Sequence, residues 1–121
     1  MAVHNMNLNI EPFNSIANGT KSIELRLNDE KRQKIIIGDT ILFTCAVTDS
    51  TITATVVNLY KYVSFKELYS HLPLQKCGYI DSDVSQEKYT DMFAYYTQEQ
   101  IDKCGVVGIE LDGVVVSSNC T

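Results

Sequence analysis

From Val3 to Ile10 the chain alternates: His4, Met6, Leu8 and Ile10 interleave with Val3, Asn5, Asn7 and Asn9. A period of two marks a half-buried strand, so Met6, Leu8 and Ile10 are expected to face inward. Glu11-Pro12 then opens a short helix, because Pro loses nothing at a first helical position whose N–H has no partner. Phe13, Ile16 and Ala17 give it an apolar stripe, and Asn18-Gly19 supplies the stop. The period returns to two over Ser22–Asn28. Ile23, Leu25 and Leu27 share a face that belongs to the core, and Ser22, Glu24, Arg26 and Asn28 share one that belongs to solvent or a ligand.

Asn28 to Lys34 is polar and reads as a loop, followed by Ile35-Ile36-Ile37 and a turn at Gly38-Asp39. Thr40–Val47 and Thr51–Tyr62 are rich in Thr, Val, Ile and aromatic residues, with Asp49-Ser50 as a hairpin connection. The second run changes parity at Val56-Val57, which predicts a bulge or strong bend. Ser64-Phe65-Lys66-Glu67 is a capping-box pattern opening a helix to Leu72, which Pro73 stops. A helix is expected over Ser85–Tyr96, with Tyr89, Met92, Phe93 and Tyr96 as a core stripe. Thr97–Gln100 is a second capping box, its helical turn closed at Gly105, and Val106–Leu111 is a final strand.

These elements predict an α+β fold: a small, mostly antiparallel barrel of five to six strands with three to four short helices. Residues 1–121 are expected to form one domain, with 113–121 an extra strand or a frayed tail. The length of 121 residues, with 45% hydrophobic and 21% charged, fits an ordinary globule and disfavours disordered or disulfide-dense classes. No apolar run approaches the roughly 20 residues of a membrane-spanning helix, and no leader is recognised, so a cytoplasmic location and no membrane partner are expected.

Charge changes the picture only locally. The net charge of −5 excludes non-specific coating of nucleic acid. Yet residues 19–38 hold Lys21, Arg26, Lys31, Arg32 and Lys34 against Glu24, Asp29 and Glu30, while 81–112 hold eight acids against Lys88 and Lys103. A basic side and an acidic side follow, the acidic one a conceivable protein-docking surface with nothing else in the sequence to support it. Lys31, Arg32 and Lys34 fit either a solvated loop or a contact to a nucleic-acid backbone. Cys45, Cys77, Cys104 and Cys120 lack the spacing of a zinc site and are expected as free thiols; His4 and His71 stand isolated in sequence. No metal and no cofactor is expected.

Three segments in order carry a family resemblance. Gly19-Thr20-Lys21-Ser22-Ile23-Glu24-Leu25-Arg26, then Gly38-Asp39-Thr40-Ile41-Leu42-Phe43, then Gly105-Val106-Val107-Gly108-Ile109-Glu110 resemble the ASCH family, relatives of the PUA domain. Ser64-Phe65-Lys66-Glu67-Leu68 adds a fourth similar segment. The resemblance implies a PUA-like barrel with a cleft beside the strand that carries Lys21, and RNA or a modified nucleoside or nucleotide as partner. It also implies an alternative, since some small bacterial members hydrolyse N(4)-acetylcytidine with a Lys, a Thr and a Glu, and another is a ribonuclease. Lys21 matches the family lysine, but Glu24 stands where the hydrolase threonine would be, so a hydroxyl nucleophile is missing. The hydrolase glutamate has no assigned counterpart here.

The residues themselves support a site. On a strand Glu24 and Arg26 point the same way about 7 Å apart, and Lys21 can curl towards them. They offer a cation, an acceptor for an amine, and a planar fork for a phosphate or base edge. The expected ligand-binding set is Lys21, Glu24, Arg26, Tyr60 and Tyr62, the two tyrosines sharing a strand face suited to stacking or to the edge of the core. Lys21 and Glu24 would be catalytic if the protein is an enzyme. A lysine base needs a lowered pKa, and an adjacent Glu24 opposes that. Without the family match, the three charges would read as a solvated strand face.

Overall fold

The computed structural model describes residues 1–79 and 86–117. Its centre is one five-stranded sheet in the order β1-β3-β4-β5-β2, made of β1 (Val3–Leu8), β2 (Ile23–Leu27), β3 (Thr40–Cys45), β4 (Thr51–Tyr62) and β5 (Val106–Ser117). β1 runs parallel to β3, and every other pairing is antiparallel. Three α-helices, α1 (Ile10–Ala17), α2 (Phe65–His71) and α3 (Gln98–Cys104), pack around it, with 3-10 segments at Arg32–Lys34, Leu74–Cys77 and Gln86–Ala94. The α+β expectation holds, in the form of a curled half-barrel.

The hydrophobic alternation explains the two halves of the core. Met6, Leu8, Ile41, Phe43, Ile52, Val56, Val107 and Ile109 surround Phe13 and Ile16 of α1. Ile23, Leu25 and Leu27 instead face Phe65, Leu68 and Tyr69 of α2 and Ile101 of α3. Each large side chain buried in this way contributes roughly 1.5–3 kcal/mol. In the β2–β5 register, Glu24 lies opposite Ile109 and Arg26 opposite Val107. The charged face of β2 is therefore turned to the side that α1 covers, not to open solvent.

β1 and β2 are the two edges of the ladder, and side chains bridge the seam. The Arg26 guanidinium donates to the carbonyl of Asn7 on β1 at 2.8 Å, and the Lys31 ammonium donates to the carbonyl of Asn5. Arg32 pairs with Asp29 at 2.9 Å, so two of the three basic loop residues are engaged within the chain. At the far end of β1 the buried Asp39 acts as a staple. It accepts from the amides of Ala2 and Ile36, both at 3.1 Å, and meets His4 Nε2 at 2.8 Å. His4, isolated in sequence, thus has a partner 35 residues away. The His4 bond first, then the Ile36 amide, hold the Asp39 carboxyl below its ordinary range against the opposing effect of burial.

Several expectations are corrected. Ile10 does not turn inward with Met6 and Leu8: it opens α1 and is 36% exposed. β3 ends at Cys45, two residues early, because Asp49 takes a positive φ of 60° in the connecting turn. The parity change in β4 appears as register shifts at Thr53/Thr55 and Val56/Asn58, and β5 runs unbroken from Val106 to Ser117 against it. The Ser64 hydroxyl accepts from the Glu67 amide at 3.2 Å, and Thr97–Gln100 forms the full reciprocal box. Residues 86–94 form a 3-10 segment in place of the expected α-helix, and Phe93 is 45% exposed rather than core. Ser85, Asp81, Asp83 and Cys120 lie outside the described residues.

Candidate functional site

Lys21 is placed by a tightly bonded turn. After α1, the Thr20 hydroxyl meets Asn18 Oδ1 at 2.7 Å, the Lys21 amide donates to the Ser15 carbonyl at 3.0 Å, and the Ser22 amide donates to Lys76 at 2.8 Å. The lysine stem then crosses Gly78, where a Cβ would sit 3.2 Å from Lys21 Cδ. Gly78 has φ of +105°, so a side chain is disfavoured there twice, by backbone and by the stem above it. The ammonium ends 2.8 Å from Glu24 Oε1.

Glu24 completes an ion triad. Its Oε2 accepts from Arg26 Nε at 2.8 Å and forms an ion pair with Nη2 at 2.8 Å. Glu24 is only 4% exposed. Burial pushes its carboxyl up, but the charges of Lys21 and Arg26 and the hydrogen bonds they donate outweigh it, holding the group below its ordinary value. The triad forms one wall of a cleft of about 500 Å³ whose other lining comes from α1, from Asn7–Asn9 and from Tyr69, Cys77, Gly78, Tyr79, Asp91, Met92, Tyr95 and Tyr96.

A second polar group lines the same cleft. Tyr69 is buried in α2; its hydroxyl lies 2.7 Å from that of Tyr79, which donates to Asp91 Oδ2 at 3.1 Å. With Tyr79 committed to Asp91, Tyr69 is the donor between the two phenols. Burial raises both phenols, Tyr79 to about 12, so they stay protonated and serve as donors near neutral pH. Tyr96 stacks on Phe65 at 6.0 Å between ring centroids, while Tyr95 is 65% exposed at the rim. Cys77 is held as a thiol, pushed up to about 11 chiefly by burial, and is not an activated nucleophile. No group of three His, Cys, Asp or Glu among the described residues is arranged to hold a metal.

Lys21, Glu24 and Arg26 are thus brought together, as their spacing on a strand entrance suggests. Tyr60 and Tyr62 are not among the residues lining this cleft. The Tyr60 hydroxyl donates to Glu110 at 2.7 Å, and Tyr62 stacks on His71 with centroids 5.3 Å apart; both pack against the α2 half of the core. The residues that sequence reasoning missed are Tyr69, Tyr79, Asp91 and Tyr95. Tyr95 carried a faint signal, since it falls outside the 3- and 4-residue stripe of Tyr89, Met92 and Tyr96.

Comparison with known proteins adds the family. A family model of the ASCH domain matches residues 6–114. The chain belongs to the ASCH family. A crystal structure of a hypothetical protein, PH0355, is 32% identical with a TM-score of 0.78, covering 93% of this chain and 98% of that one. The solution structure of protein PF0455 from Pyrococcus furiosus is 31% identical with a TM-score of 0.69, covering 91% and 96%. An ASCH protein from Zymomonas mobilis, as an S128A mutant, shares the fold at 16% identity and a TM-score of 0.64, over 91% of this chain and 67% of that one. No curated protein matches. This ASCH domain has no described helix long and apolar enough to cross a membrane.

Proposed function

We propose that this ASCH domain binds a nucleobase, carried by a short single-stranded RNA or by a free or modified nucleoside, in the cleft walled by Lys21, Glu24 and Arg26. The observation that carries this reading is the buried ion triad on the wall of an open cleft. Taking three charges out of water is costly and a well-packed apolar cluster is often at least as stable, so such a triad is better explained by recognition than by stability. The Arg26 fork and the Lys21 ammonium supply donors for a carbonyl or ring nitrogen, and Tyr79, Tyr95 and Tyr96 supply aromatic surface. Stacking on such a surface contributes about 1–3 kcal/mol per base.

Binding fits better than catalysis. Lys21 is held as an ammonium donor against Glu24, with its other N–H groups open to a guest, whereas a general base needs a free lone pair. Ser15, the one aliphatic hydroxyl residue among the described residues that line the cleft, donates its hydroxyl to the Glu11 carbonyl within α1 at 3.1 Å. Among the described residues the lining carries Lys21 and Arg26 against Glu11, Glu24 and Asp91, so phosphates gain little there and affinity is expected to depend weakly on salt.

Titrating the protein with fluorescein-labelled short RNAs and with nucleosides tests the reading. Lys21→Ala is expected to weaken binding at least tenfold, while Lys88→Ala, an exposed residue outside the cleft lining, leaves it unchanged. Equal losses in the two variants would remove the site assignment. Incubation with N(4)-acetylcytidine and with RNA, with and without chelator, is expected to give no turnover; product formation would replace binding with hydrolysis.

A further inference from the structure

Lys21 and Arg26 give the cleft a donor pole, the Tyr69–Tyr79–Asp91 chain adds an acceptor to the same lining, and nothing in the triad requires one. Tyr79 and Asp91 belong to segments that follow α2, and Asp91 is exposed on the 3-10 stretch at Gln86–Ala94. An exposed carboxylate in water usually has no fixed orientation. Here it is tied by one oxygen to the Tyr79 hydroxyl, which is anchored in turn by a phenol that is 1% exposed. Two ordered tyrosines thus hold one acidic side chain at a cleft wall. A carboxylate has about four acceptor sites and Tyr79 fills one, so it can still receive hydrogen bonds from a guest.

We infer that Asp91, positioned by Tyr79, is a specificity residue that accepts a hydrogen bond from an exocyclic amine, selecting amino-bearing bases over uracil. The inference rests on the nucleobase reading of the cleft. Its chemical logic is complementarity: the pairing edge of cytosine carries an amine donor beside two acceptors, matching one carboxylate and a pair of cationic donors. Uracil puts a carbonyl oxygen where cytosine has the amine. That oxygen would face a carboxylate, an acceptor against an acceptor, so the contact that cytosine gains is replaced by a repulsive one.

Cytidine and uridine are the same size, so their affinity ratio isolates this contact. Calorimetric or NMR titration of the full chain is expected to show cytidine binding about tenfold tighter than uridine, the worth of one hydrogen bond to a charged acceptor at a partly open site. Asp91→Asn, whose amide can donate, should abolish or invert the preference, and Tyr79→Phe should reduce it by keeping the carboxylate but releasing its orientation. Asp91 is exposed and Tyr79→Phe keeps the ring and removes only a hydroxyl, so both proteins are expected to fold, which their thermal midpoints check. Running the trinucleotides of cytidine and of uridine alongside the nucleosides tells whether the base is taken from RNA or free; the same ratio applies to either source. If the wild type binds nucleosides and Lys21→Ala weakens them, but Asp91→Asn leaves the ratio unchanged, this inference fails and the nucleobase reading stands. If no base binds the wild type at all, both fail together.

Discussion

Glu24 and Asp39 are the two buried carboxylates among the described residues, and they are held in opposite ways. Asp39 is enclosed by backbone amides of Ala2 and Ile36 and by His4, groups that belong to the turn and the strand it fastens. None of these residues lines the cleft beside β2, and their bonds pin β1 to β3. Glu24 is enclosed by two side-chain cations, and both of them line the cleft together with it. A backbone amide cannot be redirected to a ligand without unfolding the strand, whereas a lysine ammonium or an arginine fork has donors to spare. Burial alone therefore does not separate structural from functional acids; the mobility and spare capacity of the partners do.

Removing each carboxylate in turn is the largest available test of that distinction. Glu24→Ala leaves Lys21 and Arg26 facing each other in a partly buried site, and breaking a buried pair in this way costs about 3 kcal/mol. For a chain of this size that lowers the thermal midpoint by roughly 10 °C. Base binding should be lost as well, because the two cations no longer share a fixed position. Asp39→Ala should also lower the midpoint, by orphaning two amides and His4, yet leave affinity unchanged when measured well below that midpoint. If Asp39→Ala loses affinity as Glu24→Ala does, the comparison breaks, and the staple on β1 must be counted part of the site.

The same pair shows how far the sequence could be read. The alternation of Ile23, Leu25 and Leu27 placed β2 and the direction of Glu24 and Arg26, and the spacing back to Lys21 brought the three together. Burial of the triad was not legible, since it depends on α1 covering that face and on β1 arriving across the seam. His4 looked isolated for a related reason: Asp39 reaches it through a parallel β1–β3 pairing, which leaves no local pattern. Tyr60 and Tyr62 were expected in the ligand-binding set, with the edge of the core as the other reading; they pack on the α2 half of the core, and their partners Glu110 and His71 are set by the β4–β5 register and by α2. Asp91 stayed hidden because a 3-10 segment repeats every 3.0 residues and breaks the helical period used to sort faces, and Tyr79 because it lies past the Leu74–Cys77 segment where no period sorts faces.

Acid provides a second test. Glu24 and Asp39 both have folded values below their ordinary 4.5 and 3.8, so the unfolded chain takes up their protons first as pH falls. The stability they contribute is fully present above those ordinary values and is lost progressively as pH drops through the depressed folded values. Thermal midpoints measured from pH 7 downwards should therefore stay level until about pH 4.5 and then decline. Glu24→Gln and Asp39→Asn should each flatten part of that decline. A wild-type midpoint that starts to fall well above pH 4.5 would mean that a group other than these two carboxylates controls the acid limb.

The smallest effect comes from Gly78, and it isolates the lysine stem from the backbone beneath it. Gly19 and Gly78 both have positive φ, +85° and +105°, so Ala at either position carries a similar backbone penalty of about 1–2 kcal/mol. Their surroundings differ: a Cβ at Gly19 meets nothing within 4 Å, while one at Gly78 lies 3.2 Å from Lys21 Cδ. Gly78→Ala must push the stem aside by a few tenths of an ångström. That displacement lengthens the 2.8 Å contact to Glu24 and moves the ammonium along the cleft wall. Both variants should lose comparable thermal stability, but only Gly78→Ala should lower base affinity, and by less than Lys21→Ala because the charge remains. Equal affinity losses in Gly19→Ala and Gly78→Ala would show that the turn as a whole, and not the path of the stem, positions Lys21.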